Sequence, residues 1–427
     1  MKTSKNRMRS LILIITSSVF LAVLCVGTIV TPEVSFSENE NRYLQEKPKL
    51  SADAVLSGRF ETQAENYLND QIIGRNFWVK TMAAVESAVG IHDINGVYLS
   101  KDKTRAVKRI TESEFDWERY DKNLRQVRNL KESCEKEGIA VRAMLVPTAA
   151  YIYEDALPKN AMTFDEDKAF DDAEDMLGDS LIDLRGLLGA AEAQGGASLG
   201  GVSSITAAAL DMKSAGLGAD QGVFFRTDHH WSGYGAYLGY VGFLKAHGST
   251  DAAKEKYEAS SSLRTEIPSY EDLGMTVLSD EFYGTLYSKV LLDSLQADAV
   301  ETPAAALDAD CKVTIEGKTY DSVYFKEFLD KKDKYAVYFG GNYDKVDVEM
   351  KDTEAGKKGS ILIIKDSFAN SFVPFLMNDY SKISMIDTRY YRGDVEKLAG
   401  EYDEVLVLYG IDNFASEKIS LTNALLR

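Results

Sequence analysis

Near its C-terminus the chain alternates between apolar, β-branched segments and amphipathic, helix-like ones. The predicted strands are SILII (360–364), KISMID (382–387) and EVLVLYG (404–410), and the predicted helices between them are ANSFVPFLMNDY (369–380) and GDVEKLAGEY (393–402). Strands separated by short helices form right-handed βαβ units with a parallel sheet, so we expect an α/β fold. Ligands bind such sheets beyond the carboxyl ends of the strands. Chemistry is therefore expected just after Ile364, Asp387 and Tyr409.

A serine lies directly after the first of these strands. The segment KDSFANSF (365–372) puts Ser367 on the turn between a strand and the next helix. Such a turn pushes the side chain out over the edge of the sheet, and the N–H groups that begin the helix face whatever binds there. Ser367 is thus a candidate nucleophile with an oxyanion donor at hand. The alternative is a serine that only caps the helix.

A serine nucleophile needs a base, and the base needs a group that orients it. The chain has only four histidines, at positions 92, 229, 230 and 247, and only the adjacent pair has an aspartate beside it, in FRTDHHWSGYGAY (225–237). In an extended or turn conformation residues i and i+2 share a face, so Asp228 can orient His230 while His229 points away. The open alternatives for the pair are a metal site and ordinary packing.

These two segments together resemble a known family. TDHHW (227–231), followed much later by DSF (366–368), looks like the DHHW proteins of Gram-positive bacteria. Those are similar to the alginate O-acetyltransferases and their relatives with an SGNH-hydrolase-like fold. The segments ENRYLQEKPKLS (40–51), NGVYL (95–99) and VPTAAYIYEDALP (146–158) fit the same resemblance, which covers most of the chain from about residue 38 onward.

The resemblance implies a three-layer α/β/α sandwich around a mainly parallel sheet, with the histidine motif before the serine motif. That order is permuted relative to ordinary SGNH esterases. Carried over position by position, the resemblance implies Ser367 as the nucleophile, His230 as the base and Asp228 as its partner, in agreement with the local interpretation. It also implies a glycine and an asparagine as oxyanion donors, and Gly410 and Asn413 in YGIDNF (409–414) are the candidates. GGN (340–342) is a rival that precedes the nucleophile strand.

One position departs from the family pattern. The glycine of the family's GDSF turn is Lys365 here, and a lysine can narrow the site or add a charge. His229, Trp231 and Arg389 are candidates for substrate binding. Trp231 can stack on a sugar ring and Arg389 can bind an anionic group. Packing is the alternative for the tryptophan, and a surface ion pair is the alternative for the arginine.

The N-terminus carries an export signal. Basic residues at positions 2, 5, 7 and 9 precede an uncharged, apolar run from Leu11 to Val30. About 20 apolar residues span a bilayer core of roughly 30 Å, and the run exceeds the roughly 7–15 apolar residues of a cleaved signal peptide. The preceding basic residues keep the N-terminus in the cytoplasm. We predict a retained single-pass signal anchor in the cell membrane with an extracytoplasmic C-terminal domain. A cleaved signal and a secreted protein are the alternative.

The predicted domain plan follows from these segments. Residues 1–30 form a cytoplasmic tail and the anchor, 31–50 a juxtamembrane linker, and 51–427 an SGNH-like domain. Residues 187–222 are rich in small side chains and predict a flexible insertion. Apolar spacing predicts helices within 52–89 and over about 112–138, and the run IAVRAMLVP (139–147) predicts a buried strand.

The net charge and the cysteine spacing bear on which partners and which cysteine chemistry are compatible with the chain. A formal net charge of −18 argues against nucleic acid as a partner. Cys134 and Cys311 lack a CxxC spacing, and both a disulfide between them and two buried thiols are compatible with the sequence. We predict neither a cofactor nor a metal ion.

The resulting prediction is a membrane-anchored, extracytoplasmic serine acyltransferase or esterase that acts on O-acetyl groups of a cell-surface polysaccharide. As the resemblance implies, a membrane partner supplies the acyl group. One alternative is a non-catalytic binding or scaffold protein of the cell envelope with the same fold, which Lys365 favours. Another is a metal-dependent phosphoesterase, because D-H-H also occurs in that class; such a site needs further aspartates at strand ends.

Overall fold

The computed structural model describes residues 2–37, 42–194, 222–247, 268–351 and 359–416. The chain divides into two compact units, Met1–Ile91 with Ser288–Leu292, and His92–Tyr287 with Asp293–Arg427. The predicted insertion at 187–222 begins inside a helix that ends at Gln194, and most of the rest of it lies outside the described residues.

The first unit contains the N-terminal apolar segment. Its elements are α1 (Lys2–Val30), β1 (Phe36–Ser37), β2 (Arg42–Tyr43), α2 (Ala52–Leu56), α3 (Arg59–Gln71) and α4 (Arg75–Ala88). Within α1, the 24 residues Arg7–Val30 are long and apolar enough to cross a membrane, and their side chains are not buried. A membrane anchor and a signal sequence both fit this helix. The helices expected within 52–89 are confirmed, and they are separated at Gly58 and Gly74, whose positive φ angles of 73° and 70° favour glycine.

The second unit contains the remaining elements. Its strands are β3 (Asp93–Ile94), β4 (Val97–Leu99), β5 (Ala106–Lys108), β6 (Ala140–Val146), β7 (Leu181–Asp183), β8 (Met275–Phe282), β9 (Asp298–Pro303), β10 (Cys311–Ile315), β11 (Lys318–Tyr320), β12 (Lys345–Met350), β13 (Ser360–Lys365), β14 (Lys382–Ile386) and β15 (Glu404–Gly410). Its helices are α5 (Trp117–Lys136), α6 (Ala149–Ile152), α7 (Glu166–Leu177), α8 (Arg185–Gln194), α9 (Gly233–His247), α11 (Ala304–Leu307), α12 (Ala369–Leu376), α13 (Val395–Ala399) and α14 (Ile411–Phe414), and α10 (Thr285–Val290) begins in it.

A sheet of eight strands organises the second unit, in the order β11-β10-β12-β14-β13-β15-β6-β7. The five strands from β14 to β7 are parallel, and β12, β10 and β11 add an antiparallel edge. The α/β fold with a large sheet is therefore confirmed, as are the three C-terminal strands. The antiparallel edge was not predicted, because its strands are not separated by helix-like segments.

Both faces of the sheet are covered by helices. Along β13, Ile363 joins an apolar cluster with Phe372 of α12, whereas the next residue, Ile364, joins a second cluster with Leu124 of α5 and Phe170 of α7. Strands buried on both faces read as continuous apolar runs, which is why β13 and β15 are so hydrophobic. Because β13, β15 and β6 are parallel, the turns that follow them meet at one edge of the sheet.

The cysteines are free thiols. Cys134 and Cys311 are both buried, the first in the cluster with α5 and the second in the cluster with α12. Of the two alternatives left open by the sequence, the structure shows unpaired thiols.

Candidate active site

The DHH segment forms a tight turn ahead of α9. Asp228 is buried, and its Oδ1 accepts hydrogen bonds from the backbone N–H of His230 at 3.1 Å and from the ring Nδ1 of His230 at 2.6 Å. An aspartate that binds the N–H two residues on is the usual way in which this residue stabilises a turn. The predicted i and i+2 contact between Asp228 and His230 is therefore present, in a turn conformation. The expectation that His229 points away is wrong, because its ring packs 3.9 Å from that of His230 and its Nδ1 lies 3.4 Å from the same Asp228 oxygen.

The imidazole of His230 also contacts Ser367. Its Nε2 lies 2.7 Å from the Oγ of Ser367, although the two residues are 137 positions apart. Because Nδ1 faces a carboxylate, it carries a proton, and Nε2 is left to accept the hydroxyl hydrogen. The aspartate, histidine and serine that the sequence singled out thus form a continuous chain of hydrogen bonds. A serine nucleophile would require such a chain, with a base beside it and a group that orients the base.

The first residue of α10 holds Asp228 from its other side. The backbone N–H and the hydroxyl of Thr285 donate to Oδ2 of Asp228 at 2.7 and 2.9 Å. Gly284 permits this approach, because a Cβ there would overlap the Asp228 side chain. Burial alone would raise the pKa of Asp228, but the adjacent imidazoles of His229 and His230 and the Thr285 N–H hold it well below its usual range. Asp228 is therefore a carboxylate at any working pH.

A second buried carboxylate fixes the turn itself. Asp298 accepts hydrogen bonds from the backbone N–H groups of Arg226 and Thr227 at 2.8 and 2.9 Å, and from the Thr227 hydroxyl. Burial raises the pKa of Asp298 to about 6. Its contacts are with the turn and not with the imidazoles, so its role is structural.

Ser367 lies on the turn between β13 and α12, half-buried, as the sequence predicts. The preceding residue, Asp366, is buried and anchors this turn, with Oδ1 accepting from the N–H of Phe368 at 2.9 Å. Its Oδ2 accepts from the N–H of Gly410 and from Nδ2 of Asn413, each at 2.9 Å.

The last two contacts correct the expectation for the oxyanion donors. Gly410 and Asn413 lie at the carboxyl end of β15 as predicted, but both donate to Asp366 rather than toward the Ser367 hydroxyl. The Ser367 N–H, by contrast, has no hydrogen-bond partner within the ranges that the structure describes. The sequence indicates that hydrogen-bond donors lie at the carboxyl end of β15, but it does not indicate which group accepts their hydrogen bonds.

Tyr335 is a neighbour of the site that sequence reasoning missed. Its ring stacks on the His230 imidazole, with centroids 4.0 Å apart and planes 11° from parallel. Its hydroxyl donates to the Ser367 carbonyl at 2.9 Å and lies 3.1 Å from Oγ of Ser371. One side chain thus contacts both the His230 ring and the Ser367 turn, and it holds them in position relative to each other. Its position in the sequence carries no motif that could have pointed to it.

The Trp231 ring is buried, which argues against the suggested stacking on a sugar. The side chain is fully buried, and Nε1 lies 3.1 Å from the Phe368 carbonyl and 2.9 Å from Oγ of Ser371. A ring with no exposed surface cannot present a face to a ligand. Trp231 instead ties the histidine turn to the first residues of α12.

Lys365 points away from the Ser367 hydroxyl. The side chain is buried, and Nζ donates to Oδ1 of Asn342 at 2.7 Å and to Oδ1 of Asn370 at 2.8 Å. Burial lowers the pKa of Lys365 to about 8. The lysine that replaces the family's glycine therefore braces the GGN segment (340–342) against α12, and it leaves the serine–histidine contact intact.

Arg389 follows the carboxyl end of β14 and forms an ion pair there. Its guanidinium forms a bidentate pair with the buried carboxylate of Asp387, through contacts of 2.5 to 3.1 Å. This is the ion-pair alternative to substrate binding. Of the two remaining histidines, His247 is buried against Glu404 at the opposite, amino end of β15, and His92 binds the Leu99 carbonyl. Of the four histidines, only His229 and His230 therefore lie in this site.

The residues Asp228, His229 and His230 offer ligand atoms that lie within 4.8 Å of one another, which is close enough for a metal ion. Both oxygens of Asp228 already accept hydrogen bonds, and the Nε2 of His230 contacts Ser367. A metal ion would have to displace these contacts. The arrangement suits proton transfer to and from Ser367 better than it suits a metal centre.

Comparisons with known proteins support the resemblance drawn from the sequence. The DHHW protein family model matches residues 212–386, which include both the histidine and the serine segments. A DHHW family protein from Eubacterium siraeum is 18% identical, with a TM-score of 0.52 over 76% of this chain and 93% of that one. No curated protein sequence matches the chain. The similarity to DHHW proteins is thus confirmed.

Two further solved structures are similar. Bacillus cereus PatB1 is 17% identical, with a TM-score of 0.55 over 76% of this chain and 100% of that one, and it has also been solved with a sulfonyl adduct. The O-acetyltransferase domain of Pseudomonas putida AlgJ is 14% identical, with a TM-score of 0.40 over 75% and 93% of the two chains. At these identities the likeness to PatB1 and to the Eubacterium protein shows a shared fold.

Proposed function

We propose, from the similarity to DHHW proteins and the geometry around Ser367, that this chain is an extracytoplasmic serine acyltransferase or esterase acting on O-acetyl groups of a cell-surface polysaccharide. The observation that carries the proposal is the 2.7 Å contact between Nε2 of His230 and Oγ of Ser367. Asp228 stands behind the same imidazole. The alternative, a serine that only caps the helix, does not explain why an imidazole oriented by a carboxylate contacts its hydroxyl.

In the proposed reaction, the Ser367 Oγ attacks the carbonyl carbon of an acetyl ester while His230 Nε2 takes the hydroxyl proton. The tetrahedral intermediate then collapses, the ester C–O bond breaks, and the leaving oxygen receives that proton from His230. Acetyl-Ser367 remains. A sugar hydroxyl or water next gives a proton to His230 and attacks the acetyl carbon. The bond between that carbon and Ser367 Oγ then breaks, and Oγ takes the proton back from His230, which restores Ser367 and releases the acetylated sugar or acetate. Asp228 holds the Nδ1 proton throughout and stabilises the imidazolium in each step.

The oxyanion in this scheme is bound first by the Ser367 N–H, which no described residue engages. Gly410 and Asn413 can contribute only if they release Asp366. Burial raises the pKa of Asp366, so protonation is the change that would weaken these two contacts. A single preorganised donor such as the Ser367 N–H contributes about 3–4 kcal/mol of transition-state stabilisation.

The cellular setting is part of the proposal. The helix Arg7–Val30 serves as a single-pass anchor that keeps the second unit outside the cytoplasm, close to the polysaccharide. A membrane protein that passes acetyl groups outward is the partner that such a transferase requires. The alternative of a non-catalytic scaffold was based on Lys365, and its buried contacts with Asn342 and Asn370 give that alternative no support.

The test uses the full-length protein in detergent with an aryl acetate. We expect steady release of the phenol, and we expect a sulfonyl fluoride to stop it with a stoichiometry of one reagent per chain. Peptide mapping should find the sulfonyl group on the peptide that contains Ser367, because only an activated hydroxyl reacts with such a reagent at a useful rate. Absence of turnover, or a sulfonyl group on another peptide, would contradict the proposal.

A further inference from the structure

The second histidine of the DHH turn has a defined tautomer. Its Nδ1 lies 3.0 Å from the Thr285 hydroxyl oxygen. That hydroxyl donates its own proton to Oδ2 of Asp228, which is ionised and cannot donate. The Thr285 oxygen can therefore only accept at the histidine, so Nδ1 of His229 carries the proton. The Nε2 of His229 consequently holds a lone pair and acts as an acceptor.

This acceptor is available to a ligand. The Nε2 of His229 has no hydrogen-bond partner in the described parts of the chain, and 26% of the side chain is exposed. Burial and the neighbouring His230 lower the pKa of His229, so the ring is neutral. A neutral imidazole with an open Nε2 accepts a hydrogen bond from a hydroxyl group. A protonated imidazole carries a proton on both ring nitrogens and could accept none.

The position of His229 relates this acceptor to the nucleophile. The two imidazoles have centroids 3.9 Å apart and planes at 37°, and both Nδ1 atoms lie within 3.4 Å of the same Asp228 oxygen. Both Nε2 atoms therefore lie on the side of the rings turned away from that carboxylate, which is the side where Ser367 contacts His230.

We propose that His229 selects the sugar that exchanges acetyl groups with Ser367, by accepting a hydrogen bond from the hydroxyl adjacent to the reacting one. The inference rests on the proposed function. The reacting hydroxyl gives its proton to His230 Nε2, and its neighbour on the same ring donates to His229 Nε2. The favoured acceptor is thus a carbohydrate ring with two adjacent hydroxyls, and water, which offers only one oxygen, is the poorer competitor.

A matched pair of acceptors tests this inference. The full-length protein is acetylated by an aryl acetate in the presence of either trans-1,2-cyclohexanediol or its monomethyl ether, and acetate and acetylated alcohol are quantified. Counted per reacting hydroxyl, because the diol offers two equivalent hydroxyls and the ether one, one hydrogen bond corresponds to a preference for the diol of about two- to ten-fold over the ether. His229→Leu should abolish the preference, and His229→Gln, which places an amide oxygen near the position of Nε2, should restore part of it.

Nitrogen NMR of the labelled histidines provides a measurement that does not depend on turnover. With four histidines, the His229→Gln variant assigns the resonances of His229. We expect the Nδ1–H tautomer at neutral pH. An Nε2–H tautomer, or a diol preference that survives in His229→Leu, would overturn the inference while leaving the serine mechanism in place. Failure of Ser367 to become acetylated at all would instead overturn the proposed function, and the inference with it.

Discussion

Replacement of Ser367 by alanine is expected to lower kcat for an aryl acetate on the order of 10⁶-fold. In the proposed mechanism the oxygen of this hydroxyl forms the acetyl-enzyme, and its 2.7 Å contact with His230 would make it nucleophilic. In Ser367→Ala the backbone hydrogen-bond donors of the site can still bind the ester, but no nucleophile is left to attack it. The measurement is steady-state hydrolysis by the full-length protein, with folding checked by circular dichroism.

Ser371→Ala is the matched control. This hydroxyl lies one helical turn further along and contacts Trp231 and Tyr335 instead of His230. Its loss costs about 1 kcal/mol of stability for each hydrogen bond, and activity should stay within about ten-fold of wild type. Equal losses in the two variants would mean that damage to the turn, and not loss of the nucleophile, explains the effect of Ser367→Ala.

Asp228→Asn is expected to lower kcat by about 10⁴-fold. Both oxygens of Asp228 accept a backbone N–H, but the two shorter Thr285 contacts favour keeping the amide oxygen at the Oδ2 position over the single 3.1 Å contact of the His230 N–H, so we expect the asparagine to place its NH2 group toward His230. The Nδ1 of His230 then has to accept a hydrogen bond, its proton moves to Nε2, and the ring can no longer take the proton of Ser367. Substrate binding should change little, because Asp228 is buried. The effect is therefore expected in kcat and not in KM.

Asp298→Asn distinguishes this tautomer effect from loss of a buried charge. Asp298 is an equally buried carboxylate that holds the same turn through Arg226 and Thr227. We expect this variant to lower the melting temperature and to retain most of kcat. A kcat as low as that of Asp228→Asn would show that the turn tolerates no change, and it would remove support for Asp228 as the group that orients His230.

The local part of this site was predictable because short-range geometry determines it. Asp228 and His230 are two residues apart, and Ser367 follows a strongly apolar strand, so turn and strand rules suffice for each. The contact between the two segments came from the family resemblance. No periodicity in either segment encodes it.

The supporting residues were not predictable, because tertiary packing alone brings them together. Thr285 begins α10 and Tyr335 lies in a short 3-10 helix (Lys334–Val337), and neither segment carries a sequence motif. For Gly410 and Asn413, the strand register gave the location, but the buried carboxylate of Asp366 determines what they bind. For Lys365 the identity of the residue suggested a change in the site, and only its contacts show that the side chain turns away.

The most direct test of the account is to trap the acetyl group. Full-length protein is mixed with an aryl acetate, quenched in acid on the millisecond timescale, digested and analysed by mass spectrometry. We predict a single acetyl group on the peptide with Ser367, formed fast enough to account for turnover and absent from Ser367→Ala. Turnover that continues while this peptide stays unmodified, or an acetyl group that builds up elsewhere at the same rate, would contradict the claim that Ser367 is the nucleophile.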